Sequence, residues 1–173
     1  MRRMTIVQGE HAVSDEPGLS IQTVLGSCIA VCLVDPLRRV GGMNHFLLGE
    51  PQPGIRAEDL SRYGIHAMEL LVNAMMRRGC ERRQLRAHLY GGATIIAGLG
   101  DIGARNIDFA RLFCRTEGIE VRHEDVGGRL ARRVEFLPHE GRSRSRSASE
   151  PVLEARPVPS LDPLAHAGEL ELF

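Results

Sequence analysis

Cys28 and His45 are the two side chains of this sequence best suited to covalent chemistry together. A thiolate is the nucleophile. An imidazole beside it takes the thiol proton, stabilises the anion and can return the proton to a leaving amine. Gly26 and Ser27 precede Cys28, so the backbone there can bend and present N–H groups toward a bound carbonyl. Taken singly, an apolar-flanked cysteine is more often a small core residue, and a histidine like His45 is more often buried and satisfied. Taken as a pair, they point to acyl transfer.

Composition narrows the alternatives. The chain carries 22 basic and 22 acidic residues, so its overall charge argues for neither nucleic acid nor an anionic membrane. All the basic residues are arginine. Schiff-base chemistry, a lysine general base and a P-loop lysine are therefore excluded. Hydrophobic residues make up 43% and aromatics 4%, which implies an aliphatic core. No apolar run reaches the roughly 18 residues of a membrane-spanning helix. Met1 to Thr5 has charge without a hydrophobic region behind it, so no signal peptide is expected. Cys28, Cys32, Cys80 and Cys114 are expected as reduced thiols in the cytoplasm.

The positioning of the pair can be tested by counting. Cys28 to Val34 reads as a buried strand, Asp35 to Arg38 as a turn, and Val40 to Leu48 as a return strand, with Gly41-Gly42 as a possible bulge. A two-residue loop, Pro36-Leu37, pairs Asp35 with Arg38, then Cys32 with Gly41 and Cys28 with His45. Directly opposed Cβ atoms lie about 4.5–5.5 Å apart. A loop longer by two keeps both residues on one face as diagonal neighbours; a loop longer by one puts them on opposite faces.

The remaining elements follow from periodicity. Met4 to Val7 suits an edge strand. Arg62 to Arg78 predicts a helix capped by Ser61 or Asp59, with Ile65, Met68, Leu71, Val72 and Met75 as its apolar stripe. Leu85 to Tyr90 is a short strand, and a second helix runs from near Asn106 to Glu117. Glu120 to Val126 and Leu130 to Leu137 read as a hairpin about Gly127-Gly128. Residues 1–140 are expected to form one domain. Residues 141–173, rich in Ser, Arg, Pro and Ala at their start, are expected to be a disordered tail. Glu169 to Phe173 could serve as a docking motif, although terminal residues are usually solvated.

Several blocks resemble the CheD family, the chemoreceptor glutamine deamidases. They are Leu25 to Pro36, Gly42 to Leu48, Gly91-Gly92-Ala93, Ile102 to Asn106, and Glu124 to Gly128 with Arg132 to Phe136 behind. The resemblance implies an α+β fold, with strands and helices packed in layers around a mixed sheet. It implies a catalytic Cys and His, carried over to Cys28 and His45, and a catalytic Thr. For the third position the sequence offers Thr23, with Gln22 at the spacing some members use for the Thr. It implies hydrolysis of glutamine side chains on chemoreceptors, and of receptor methyl esters by the same acyl chemistry. The oxyanion would be held by backbone near Gly26 and Ser27. No metal or organic cofactor is implied, and a CheC-type phosphatase is a possible partner.

Three other readings compete. Cys28 and Cys32 lie four apart on one predicted strand, about 13 Å by strand rise, too far for a disulfide. Zinc would need four ligands in paired short spacings, and none appears. The alternating Arg/Ser run Arg142 to Ser147 is short for RNA binding and reads as a solvated linker. A purely non-catalytic role, as partner and activator of a phosphatase, is the third. The segment Ile102 to Asn106 suits either a substrate groove or the start of a helix.

Overall fold

The computed structural model describes residues 1–49, 53–95 and 101–148. Its strands are β1 (Arg2–Thr5), β2 (His11–Ser14), β3 (Leu19–Leu25), β4 (Ile29–Asp35), β5 (Val40–Asn44), β6 (Arg86–Gly91), β7 (Glu120–Val126), β8 (Arg132–Leu137) and β9 (Arg142–Ser147). Its helices are α1 (Ala57–Arg77) and α2 (Ile102–Thr116). A four-stranded sheet runs β1-β3-β8-β9, and a five-stranded sheet runs β2-β5-β4-β6-β7. The fold is α+β.

Three layers result from the two faces of β4, whose every residue is buried. Ile29, Val31 and Leu33 join Met68, Leu71, Val72 and Met75 of α1 and Ile107, Ala110 and Phe113 of α2. Cys28, Ala30, Cys32 and Val34 join Ile21, Leu25, Val134 and Phe136 of the other sheet. A strand with an apolar layer on each side needs apolar residues at every position, and its run from Ile29 to Val34 reads that way.

The β4–β5 turn is two residues longer than the tightest count. Asp35 pairs with Val40, and Cys32 with Met43. Asp35 Oδ1 accepts from the N–H groups of Leu37 and Arg38 at 3.0 and 3.1 Å, and Arg39 takes a positive φ of 56°. Gly41 and Gly42 do not bulge; they pair regularly with Val34 and Leu33. A Cβ on Gly41 would sit 2.6 Å from Phe136 Cζ, and one on Gly42 2.7 Å from Val13 Cγ2. Close packing from both layers explains them.

Helix α1 begins at Ala57, earlier than expected, with Arg56 before it and no side-chain cap. Asp59 lies inside the first turn with Glu58, where negative charge suits the helix dipole. Of the expected stripe Ile65 is exposed. The position beside it, Gly64, is buried instead, because a Cβ there would meet Leu48 and Phe109 at 2.5 and 2.6 Å.

The β7–β8 hairpin is corrected. The two strands belong to different sheets, β7 beside β6 and β8 beside β3. Gly127-Gly128 is a crossover between layers. Arg132, nearly buried, fastens it by donating to the carbonyls of Gly91, Asp125 and Gly127.

The boundary at residue 140 is also corrected. Arg142–Ser147 forms β9, antiparallel to β8. Its serines face inward and its arginines outward: Ser143 Oγ lies 2.6 Å from His88 Nδ1 and 2.7 Å from Tyr90 OH. Ser145 bonds Asp125, and Arg144 pairs with Glu135. The alternation of period two, rather than the composition, was the relevant signal. The remainder of the expected tail, with Glu169 to Phe173, lies outside the described residues.

A chain ended after Glu140 loses β9 and these side-chain bonds. At a net contribution of about 1 kcal/mol per intramolecular hydrogen bond, it should be destabilised by about 2 kcal/mol or more. Urea unfolding measures this, with a chain ended after Ala148 as the control that keeps β9.

Candidate functional site

Cys28 stands immediately before β4, in the buried cluster between the sheets. The ladder continues past β5 through a bridge between Ile29 and Phe46, bonded both ways at 3.0 and 2.9 Å. In this register Ala30 falls opposite His45, so Cys28 is His45's diagonal neighbour on the same face. Both side chains look toward β3. Cys28 and His45 are 2% and 6% exposed.

Thr23 comes from β3, where alternation decides between it and Gln22. Ile21 and Leu25 face the inter-sheet core, and Thr23 lies between them on that face. Gln22 turns the other way, donating to Glu135 Oε1 at 3.0 Å. Thr23 Oγ1 lies 2.8 Å from His45 Nδ1 and 2.9 Å from the carbonyl oxygen of Ile6. A carbonyl only accepts, so the single hydroxyl proton of Thr23 goes to Ile6. Oγ1 must then accept from Nδ1–H. The neutral imidazole is thereby fixed as the tautomer with its basic lone pair on Nε2.

The loop Gly26 to Cys28 is fastened through its carbonyls. Gly26 accepts from Ala93 N–H at 2.9 Å, and Cys28 from Gly92 N–H at 2.7 Å. Ser27 accepts from Asn106 Nδ2 at 2.8 Å. Across a planar trans peptide the C=O and the next N–H point in opposite directions. The amides of Ser27 and Cys28 therefore point away from Ala93 and α2. Gly91 and Gly92, with φ of 108° and 66°, are required here: a Cβ on Gly91 would lie 2.1 Å from Cys28 O, and one on Gly92 2.4 Å from Ile107 Cγ1. This pair, ending β6, is a cradle for the loop Gly26 to Cys28.

Asn106 settles the role of Ile102 to Asn106. The segment is the first turn and a half of α2. Asn106 is wholly buried and also accepts from Leu48 N–H at 3.0 Å through Oδ1. One side chain thus ties the loop before Cys28 to the chain following His45.

The site contains a residue that the sequence reading missed. Gln8 Oε1 lies 3.5 Å from Cys28 Sγ. Only its position before Gly9, after a short apolar run, sets it apart in sequence.

The other thiols are poor nucleophiles. Burial pushes the Cys32 thiol far above its usual range. Burial pushes Cys80 up to about 11, with Asp35 adding to it, and Cys114 up to about 12. Among the described residues no group of three His, Cys, Asp or Glu side chains could hold a metal ion, and no helix is long and apolar enough to cross a membrane.

The α+β domain thus brings a cysteine, a histidine and a threonine together between its two facing sheets. The chain belongs to the CheD family. The family model described as "CheD chemotactic sensory transduction" matches residues 47–147. The chain is 48% identical over 174 residues to the "Probable chemoreceptor glutamine deamidase CheD" of Zymomonas mobilis, covering 99% of this chain and 93% of that protein. Proteins of the same name from Caulobacter sp. and Agrobacterium fabrum are 47% and 41% identical, each over 99% of this chain and over 93% and 97% of their own lengths. A crystal structure of Bacillus licheniformis hypothetical protein YfiH is similar at a TM-score of 0.46 and 14% identity, covering 66% of this chain and 49% of that one.

Asn106→Leu removes both bonds of the Asn106 bridge. Each buried polar group that loses its partner costs about 1–3 kcal/mol. Urea unfolding should show that loss; Asn106→Asp should lose less only below about pH 4, where the protonated acid still donates to Ser27 and accepts from Leu48, since the carboxylate is a buried charge facing a carbonyl.

Proposed function

We propose that this protein hydrolyses the side-chain amides of specific glutamines on the cytoplasmic helices of chemoreceptors, converting them to glutamates during chemotactic adaptation. The observation that carries the reading is the chain Ile6 O, Thr23 Oγ1, His45 Nδ1. It leaves Nε2 as the base on the face that Cys28 shares. The names of relatives at 41–48% identity over nearly the whole chain support the substrate.

The steps follow from the groups present. His45 Nε2 takes the thiol proton, and Sγ adds to the carboxamide carbon. The negative charge moves to the carbonyl oxygen, which the outward amides of Ser27 and Cys28 stabilise. His45 then gives its proton to the departing nitrogen, and ammonia leaves behind a thioester. His45 next removes a proton from water as it attacks that thioester. Glutamate is released, and the proton returns to the thiolate. A methyl ester would react by the same sequence with methanol leaving. The work takes place in the cytoplasm, and no metal enters any step.

Incubation with a receptor cytoplasmic fragment should add about one dalton per modified glutamine, NH₂ being exchanged for OH through the thioester; peptide mass spectrometry reads it. Cys28→Ser should abolish the gain, while Cys32→Ala, Cys80→Ala and Cys114→Ala should retain it when folded. Activity surviving in folded Cys28→Ser would sink the thiol mechanism.

Thr23→Val keeps the shape but removes the oxygen that Nδ1–H donates to. Turnover should fall on the order of 10²–10⁴-fold, the range that a correctly held general base contributes, and Thr23→Ser should restore most of it. Equal rates for Val and Ser would show that the hydroxyl has no such role.

A further inference from the structure

Between β1 and β2 the chain runs Ile6, Val7, Gln8, Gly9, Glu10, and this loop is bonded to the site at both ends. Ile6 N–H donates to Gln22 O at 3.0 Å, and Ile6 O accepts from the Thr23 hydroxyl. Gly9 N–H donates to His45 O at 2.8 Å, and His45 N–H donates to Glu10 O at 3.0 Å. Within the loop, Glu10 N–H donates to Val7 O at 3.0 Å, and Val7 N–H to Glu10 Oε2 at 2.9 Å. Gly9, at φ 89°, permits the turn. The loop is thus held by the backbone of the base and by the threonine that orients it. At its apex Val7 and Gly9 are exposed, while Gln8 between them is half-buried, with its carboxamide against Sγ.

A half-buried surface loop needs no amide at that place; an apolar side chain would cover the thiol as well. What the amide offers is both an acceptor and a donor on one rotatable group. The resting thiol has a proton to give, and Oε1 accepts it. Once His45 has taken that proton, sulfur is negative and has none to give, so an oxygen lone pair facing it is repelled. A half turn about the last torsion brings the NH₂ group round instead. Charge then passes from sulfur to the oxygen on the carbon that sulfur attacks, within the same small volume.

We propose that Gln8 is a further catalytic residue, whose carboxamide accepts from the resting thiol and donates to the negative charge that forms at Sγ and then at the substrate oxygen. This rests on the acyl-transfer reading above. It predicts an order of side chains at position 8. Glutamine serves both states, leucine serves neither, and glutamate opposes the anion.

Two readouts test it, the first without substrate. Alkylation of Cys28 by iodoacetamide, followed by residue-resolved mass spectrometry from about pH 5 to 10, reports its thiolate fraction. Gln8→Leu should move the midpoint up by about one unit, and Gln8→Glu further, since a like charge disfavours the anion. In steady state, Gln8→Leu should lower kcat on the order of 10–100-fold with KM within about threefold, the pattern for a donor acting on developing charge. Gln8→Glu should be lower still at neutral pH. Gln8→Met repeats the test with a flexible apolar chain if the leucine variant does not fold. Wild-type values of both midpoint and kcat in a folded apolar variant would overturn the proposal and leave the deamidase reading standing. A rise in KM alone would overturn it too, marking Gln8 as a binding contact. Deamidation surviving in Cys28→Ser would instead remove the mechanism on which it rests, whatever the alkylation midpoints show.

Discussion

The complete burial of β4 is the constraint on which both cores rest. Odd-numbered residues from Ile29 pack on the helices, and even-numbered residues pack on the second sheet. A strand enclosed on both faces has no freedom to shift, because a slip of one residue would exchange the two sets of side chains. Chemistry placed just before such a strand inherits its rigidity. Cys28 is anchored by Ile29 on one side, which bonds Phe46 both ways, and by the Gly91-Gly92 cradle on the other.

Three separate parts of the chain then close on that point. The β1–β2 loop holds the backbone of His45, β3 supplies Thr23, and α2 supplies Asn106. Apart from the Gln8 carboxamide on the first of these, none contributes through a long flexible side chain. The other links are backbone bonds or short side chains, which lose little rotamer freedom on ordering. A preorganised site of this kind needs little rearrangement as charge develops. Its cost shows in the glycines: Gly91 and Gly92 occupy places where a Cβ would strike the loop ending at Cys28 or α2.

Much of this was legible in sequence wherever the signal was local or depended on parity. The paired strands about Asp35 were found, and the count of the turn was wrong by two. Asp35 accepts from two turn amides, and proline's fixed φ does not suit the primed two-residue turn. The error preserved parity, so Cys28 and His45 stayed on one face. That Thr23 and not Gln22 lies beside His45 depends on which side of β3 faces β5, a fact about how two sheets stack. Non-local pairing defeated the local cues elsewhere. Gly127-Gly128 has the look of a hairpin turn, yet β7 pairs in parallel with β6 and β8 pairs with β3. The Arg/Ser run reads as linker by composition, but small polar residues at every second position suit a strand lying over His88 and Tyr90. Gln8 had no periodicity to reveal it, since its role is set by a loop tied to a distant histidine.

The contrast between Cys28 and Cys32 shows how position, more than residue type, sets what surrounds a thiol. The two lie on the same face of one continuous segment. Cys32 sits inside the ladder, paired with Met43 on one side and His88 on the other. A residue between two strands has its backbone committed to them, so it can offer a substrate carbonyl no oxyanion donors. Its thiol is sealed in an apolar layer, and burial alone holds it protonated. Cys28 stands outside the strand, where the chain is still a loop whose carbonyls are taken by Gly92, Ala93 and Asn106. The amides of that loop are therefore turned the other way, and the imidazole and carboxamide approach from the side the ladder leaves open. Moving the thiol four residues along the same strand would keep its face and lose every one of these partners.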